Sequence, residues 1–190
     1  MSDQVRYGMA IDTTRCVGCQ TCTVSCKLSN QVPGDALRCH VENLYEGLEV
    51  YQAAGTYPKT VVAFKPELCN HCVDPLCVKN CPTGAMHKDP ETGIVSVNKD
   101  VCIACGYCSW VCPYGAPSMD DVNHVMDKCD FCAERVAQGL EPYCVESCPA
   151  NARIFGRLDD PNSELNAIIQ KKQGVQPSPE FGTNPSVYYL

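Results

Sequence analysis

Apolar residues in this chain come in short runs, and none approaches the roughly 18 residues needed to span a bilayer. Residues 5–11, Val-Arg-Tyr-Gly-Met-Ala-Ile, read as a strand, and residues 20–29 as a short helix. From about 31 to 59 the chain reads as a loop-rich connector with Pro33, Gly34, Gly47 and Gly55. Residues 61–64, Val-Val-Ala-Phe, form another strand candidate. Gly93 to Val97 alternates apolar and polar positions as a half-buried strand does. Ala152-Arg153-Ile154-Phe155 reads as a closing strand. Asp160 to Lys172 reads as a helix: Leu165, Ile168 and Ile169 recur at helical spacing, and Lys171 and Lys172 suit its negative end. Residues 174–190 hold three prolines and two glycines, and read equally as a disordered tail or as an arm that docks on a partner.

Leu, Ile, Val and Phe are sparse, so a small apolar core needs staples. The composition supplies them: 17 of 190 residues are Cys. Disulfides, zinc and iron–sulfur clusters are the three chemistries that use so many. An odd count leaves one thiol outside any closed disulfide set. The N-terminus, Met1-Ser2-Asp3-Gln4-Val5-Arg6, has no basic region followed by an apolar stretch, and no twin-Arg pair. An export signal of its own is therefore not expected, which argues against disulfides. The net charge of −7 argues against a nucleic-acid partner.

Sixteen cysteines fall into four groups of four. Group one is Cys16, Cys19, Cys22 and Cys26; group two is Cys69, Cys72, Cys77 and Cys81. Group three is Cys102, Cys105, Cys108 and Cys112; group four is Cys129, Cys132, Cys144 and Cys148. Each opens C-x2-C and closes C-x3-C, and groups two, three and four end Cys-Pro. The run C-x2-C-x2-C-x3-C-P is the bacterial ferredoxin pattern. Three close cysteines on a tight loop can cap three irons of one cubane while backbone N–H groups donate to the sulfurs. A fourth cysteine, about one helical turn on, faces away and serves a second cluster. Two groups must then exchange their fourth members. Zinc ribbons also use C-x2-C pairs, but zinc does not account for the C-x3-C-P step or for three crowded ligands.

These motifs resemble the iron–sulfur (beta) subunit of the DMSO reductase family of molybdopterin oxidoreductases. The resemblance runs from about residue 5 to 160. It includes Ile11-Asp12-Thr13-Thr14-Arg15-Cys16-Val17-Gly18-Cys19, Cys69-Asn70-His71-Cys72 and Cys81-Pro82-Thr83-Gly84-Ala85-Met86. It continues through Cys112-Pro113-Tyr114-Gly115-Ala116-Pro117, Lys128-Cys129-Asp130-Phe131-Cys132 and Cys144-Val145-Glu146-Ser147-Cys148-Pro149. The resemblance implies an α+β fold of two ferredoxin-like modules, with groups one and four paired and groups two and three paired. Residues 1–30 with 125–159 would form one module and 60–124 the other. Residues 31–59 would connect them, and 160–190 would be a C-terminal helix and docking tail.

The same resemblance implies four [4Fe–4S] clusters and no zinc. Cluster 1 would take Cys16, Cys19, Cys22 and Cys148, and cluster 2 Cys26, Cys129, Cys132 and Cys144. Cluster 3 would take Cys69, Cys72, Cys77 and Cys112, and cluster 4 Cys81, Cys102, Cys105 and Cys108. Related nitrate reductase subunits carry Trp at the position matching Cys105 and hold a three-iron cluster there. Here the residue is Cys. The implied function is a non-catalytic electron relay in anaerobic respiration. It would run between a molybdopterin (Mo or W) catalytic subunit, which alone holds pterin, and a quinone-linked membrane subunit or a soluble carrier. Such a protein lies at the cytoplasmic membrane through its partners, on either side. A free-standing polyferredoxin is the alternative, although the connector and tail exceed what a carrier needs.

An oxidised cubane with four thiolates carries about two negative charges. Lys27, Lys79, Lys128 and Arg135 lie near the cysteines in sequence and are candidates for raising cluster potentials. His40, His71, His87 and His124 read as packing or surface residues, and Cys39 as a spare thiol. Trp110, Tyr107 and Tyr114 are expected to pack beside clusters rather than relay electrons. No catalytic constellation is present in the sequence.

Overall fold

The computed structural model describes residues 5–44 and 63–190. Nine short strands and six helices alternate along them: β1 (Tyr7–Ile11), α1 (Thr21–Ser29), β2 (Cys39–Asn43), β3 (Phe64–Leu68), α2 (Leu76–Lys79), β4 (Met86–Lys88), β5 (Val95–Val97), α3 (Tyr107–Trp110), β6 (Ser118–Asp120), β7 (Val125–Asp127), α4 (Ala133–Ala137), α5 (Tyr143–Glu146), β8 (Arg153–Arg157), α6 (Glu164–Lys172) and β9 (Val187–Tyr189). The fold is α+β. No helix among the described residues is long and apolar enough to cross a membrane.

The central sheet has the order β8-β1-β9. β1 is antiparallel to β8, with Met9 opposite Phe155, and parallel to β9, with Met9 opposite Val187. Met9, Ala10, Ile11 and Val187 are fully buried there. Three hairpins complete the strands: β2 with β3, β4 with β5, and β6 with β7. The β4–β5 hairpin lies between groups two and three. The β6–β7 hairpin spans residues 118–127, across the expected module boundary at 124.

Two apolar clusters form the interior, and cysteines supply much of both. The larger gathers Met9, Ile11, Leu68, Ile94, Phe131 and Val187 around Cys22, Cys26, Cys39, Cys69, Cys129 and Cys144. The smaller gathers Met86, Val95 and Met126 around Cys77 and Cys108. The larger joins cysteines of groups one, two and four, so the two expected modules share a core.

The expected strand at 5–11 and helix at 20–29 form within those limits. The closing strand runs two residues beyond Phe155. The C-terminal helix starts at Glu164 because Asp160 and Ser163 first build a turn. Asp160 Oδ1 accepts from Asn162 N–H at 2.9 Å, and Ser163 Oγ then caps the helix by accepting from Asn166 N–H at 3.2 Å. The strand expected at 61–64 is described from Phe64, and residues 45–62 of the connector and strand lie outside the described residues.

The connector and the tail differ from expectation. Within 31–44 the chain forms β2, whose partner β3 tolerates Pro66 because it pairs with only one strand. Arg38 ties this stretch to group four through Asp127 at 2.8 Å and Asp130 at 3.1 Å. The tail, read as disordered or as an arm that docks on a partner, is ordered against its own chain. It adds β9 to the central sheet and straps group two: Val73 N–H donates to Asn184 O at 2.8 Å, Asp74 N–H to Thr183 O at 3.1 Å, and Ser186 N–H to Asn70 O at 2.8 Å.

Candidate metal centres

The cysteine loops share one backbone device. The residue before the second cysteine of each group has a positive φ: Gly18 at 67°, His71 at 41°, Ala104 at 54° and Phe131 at 53°. Only glycine adopts this conformation freely, so three of the four loops hold a strained residue in place. Gly18 has a second reason, since a Cβ there would stand 2.4 Å from the Phe64 ring. The left-handed step curls each loop so that N–H groups face inward. In group four Phe131 N–H donates to Cys129 Sγ at 3.4 Å; outside the loops, Met86 N–H of β4 donates to Cys81 Sγ at 3.3 Å, Met126 N–H of β7 to Cys102 Sγ at 3.4 Å and Ala152 N–H to Cys148 Sγ at 3.3 Å.

Cysteines distant in sequence converge. Cys69, Cys72 and Cys77 of group two line one small cavity together with Cys112, the last member of group three. Cys102, Cys105 and Cys108 of group three line a second with Cys81, the last member of group two. Cysteines of groups one and four also face one another. Burial pushes the Cys26 thiol up to about 12, and the facing sulfurs of Cys144 and Cys132 add to it. Asn30 Nδ2 touches both Cys26 and Cys132 sulfurs, at 3.6 and 3.9 Å. Cys129 is pushed well up by burial and then by Cys26. Cys16 is raised by burial and, despite a backbone donor at Gly18, by the sulfurs of Cys22 and Cys148.

The donor sets fit iron–sulfur cubanes. Burial and neighbouring sulfurs raise Cys77 to about 12 and Cys108 to about 11, so ionised quartets require a positive metal core. Zinc would draw thiolates to about 2.3 Å from one centre, hence about 3.8 Å from one another. Among the described residues, the group of three or more potential ligand atoms lying mutually within 4.8 Å is His40, Glu42 and Glu67, not any cysteine trio. No three cysteine sulfurs among the described residues stand as close together as one zinc ion would hold them.

A profile of the 4Fe-4S dicluster domain family matches residues 60–158. The sequence is 42% identical over 200 residues to the B subunit of sulfite dehydrogenase from Allochromatium vinosum, covering 97% of this chain and 82% of that one. This polypeptide belongs to the iron–sulfur B-subunit family of the DMSO reductase group. The B subunit of tetrathionate reductase from Salmonella typhimurium is 44% identical over 191 residues, covering 100% of this chain and 74% of the relative. The B subunit of anaerobic dimethyl sulfoxide reductase from Escherichia coli is 46% identical over 171 residues, covering 89% and 78%. As a member of this family the protein is an electron-transfer subunit that carries [4Fe–4S] clusters and performs no substrate chemistry itself.

The four cationic candidates divide by placement. Lys128 is buried and lines the Cys69 cavity, donating to Cys129 O at 2.9 Å and to Val95 O. Lys27 Nζ is taken up by the carbonyl oxygens of Gly34 and Ala36, at 2.6 and 3.0 Å. Lys79 meets Asp74 in an exposed pair at 3.5 Å. Arg135 lies 4.1 Å from the Tyr143 ring centre and pairs with Glu146. His71 is buried and kept neutral by burial and the charges of Lys128 and Lys88. Its ring stacks on Phe131 at 3.6 Å, and Nδ1 accepts from Val95 N–H at 3.0 Å. His87 and His124 are exposed. Tyr114 lines the Cys69 cavity and bonds Thr183 Oγ1 at 2.6 Å. Trp110 corrects its expectation: it is 85% exposed, because α3 is a single turn that buries Cys108 and turns the indole outward.

Two residues have surroundings that the sequence reading did not assign. Cys39 is no loose thiol: it is buried at the start of β2 beside Cys22. The hydrogen bond between the two pushes Cys22 down and Cys39 up, and burial adds to the rise at Cys39. Arg153, in β8, is equally buried. Burial opposes its charge, and ionised sulfur at Cys39, Cys144 or Cys22 favours it.

Proposed function

We propose that the protein carries four [4Fe–4S] clusters and relays electrons between a molybdopterin catalytic subunit and a quinone-linked membrane subunit or soluble carrier. Cluster 1 is held by Cys16, Cys19, Cys22 and Cys148, cluster 2 by Cys26, Cys129, Cys132 and Cys144, cluster 3 by Cys69, Cys72, Cys77 and Cys112, and cluster 4 by Cys81, Cys102, Cys105 and Cys108. The observation that carries this reading is the exchange of fourth cysteines between groups two and three: each of two cavities is lined by three members of one group and one of the other. When bound, the clusters supply one-electron carriers.

The protein's own residues do three things. Sixteen thiolates place the clusters, backbone N–H groups donate to ligand sulfurs, and buried cations offset the added negative charge. The fold buries seven of these cysteines: Cys22, Cys26, Cys69, Cys77, Cys108, Cys129 and Cys144. Cys19 and Cys105 are the exposed members and offer the two places where an electron can enter or leave at short range. They belong to clusters 1 and 4. Attachment to a membrane would come through a partner subunit.

Anaerobic affinity purification of the protein from its host tests this. Recovery of a pterin-bearing large subunit, whose substrate changes the redox state of these clusters, supports the reading. Isolation of the protein alone, with clusters that exchange electrons freely with small carriers, refutes it in favour of a soluble polyferredoxin.

A further inference from the structure

Arg153 is 3% exposed, yet it has no carboxylate partner among the ion pairs of the described residues. Its guanidinium meets sulfur instead. Nη2 lies 3.3 Å from Cys39 Sγ and 3.5 Å from Cys22 Sγ. Nη1 lies 3.9 Å from Cys144 Sγ and 3.7 Å from Met9 Sδ. A fully buried cation is costly without an anion beside it. Thioether and neutral thiol are poor anions, which leaves the ligand sulfurs. Cys22 belongs to the first ligand set and Cys144 to the second, so one side chain touches both.

We propose that Arg153 is the shared countercharge of clusters 1 and 2 and raises the potentials of both. The proposal rests on the ligand assignment above. Adding an electron to an already anionic cluster is easier beside a fixed positive charge. Arginine suits the place because it stays protonated and its planar fork presents several N–H donors to separate acceptors. Each couple gains one electron and no proton, so the guanidinium is unchanged by turnover. The arrangement also screens the two clusters from each other, which lets both be reduced at similar potentials. The molecule contains its own control. The cavity of cluster 4 is lined by no charged side chain, and the cation on the cavity of cluster 3 is Lys128.

The test is a dithionite titration of the anaerobically purified full-length protein, followed by electron paramagnetic resonance, in wild type, Arg153→Gln and Arg153→Lys. Iron content and the number of couples in the wild type check the ligand assignment independently of Arg153. In Arg153→Gln, two couples should lose at least tenfold in their equilibrium constant for electron uptake, a downward shift of about 59 mV each. The other two should stay in place, and Arg153→Lys should recover most of the loss. A cluster-loaded Arg153→Gln protein with every couple at its wild-type potential overturns the proposal, as does an equal shift of all couples. If Arg153→Gln does not load clusters, Arg153→Lys decides. Loading with wild-type potentials supports the charge role. Loading with lowered potentials, or no loading, assigns Arg153 to packing and overturns it.

Discussion

Replacing Gly8 with Ala should release the C-terminal tail while leaving the rest of the sheet in place. Gly8 lies in β1, opposite Gly156 of β8 and next to the residue that pairs with β9. A Cβ there would stand 2.4 Å from Leu158 Cδ1 and 2.5 Å from Ser186 O. The leucine can turn aside. The carbonyl cannot, because it accepts from Met9 N–H at 3.0 Å, and Ser186 is also tied to Asn70 O at 2.8 Å and through its hydroxyl to His71 O at 2.9 Å. Overpacking of this kind costs about 1–3 kcal/mol. Stiffening the unfolded chain returns about 0.4–1 kcal/mol. The balance, about 1–2 kcal/mol, should open the tail about 5- to 30-fold more often. Hydrogen exchange at the amides of Val187 to Tyr189 reads this directly. Gly139→Ala is the control: φ is +75°, but no atom lies within 4 Å of the new Cβ, so only conformational strain is added. Unchanged exchange in Gly8→Ala, or the same increase in Gly139→Ala, would refute the reasoning.

Cys105→Trp should convert one cluster to a three-iron form with its own paramagnetic signal and leave the other three intact; four unaltered cubane signals would show that Cys105 is no ligand. Lys128→Met should lower one couple by about tenfold in equilibrium constant, about 59 mV. Loss of its bonds to Cys129 O and Val95 O should also cost about 1–3 kcal/mol in thermal unfolding, and an unmoved titration would count against the assignment. The β2–β3 hairpin should be firmest at mildly acidic pH. The hydrogen bond to Glu67 raises His40 against the cost of burial, so its contribution is complete below the unfolded imidazole value and fades as pH rises through the folded one. His40 holds Glu67 down, so that part is complete above the unfolded carboxylate value and fades in acid. Lys65 and Glu42 also face the pair, and exposure limits the effect to less than about 1 kcal/mol. Amide exchange in β2 that follows the same pH curve in His40→Gln would reject it.

The cysteine grouping was legible because ligand spacing is a local property: a loop that caps a cubane must place its sulfurs within a few residues. β1, α1 and β8 were legible for a similar reason, since each joins a cysteine group and carries its own apolar run. β2 was not. Cys39-His40-Val41-Glu42-Asn43 has little alternation, and it becomes a strand only by pairing with residues 64–68. β4 is three residues long and exists through its hairpin partner β5. The tail docks through pairing of β9 with β1 and through bonds to residues 66–74 and 114, and partners so distant in sequence leave no local signature. Arg153 sat in plain view, as a charge inside an apolar run just after Cys148. That placement is the signal by which it could have been found, because a charge at an inward strand position requires a partner of opposite sign.

Metal analysis of the anaerobically purified protein tests the central claim most directly. The account predicts about sixteen iron atoms and as many acid-labile sulfides per polypeptide, with negligible zinc. About eight of each, or stoichiometric zinc, would contradict it.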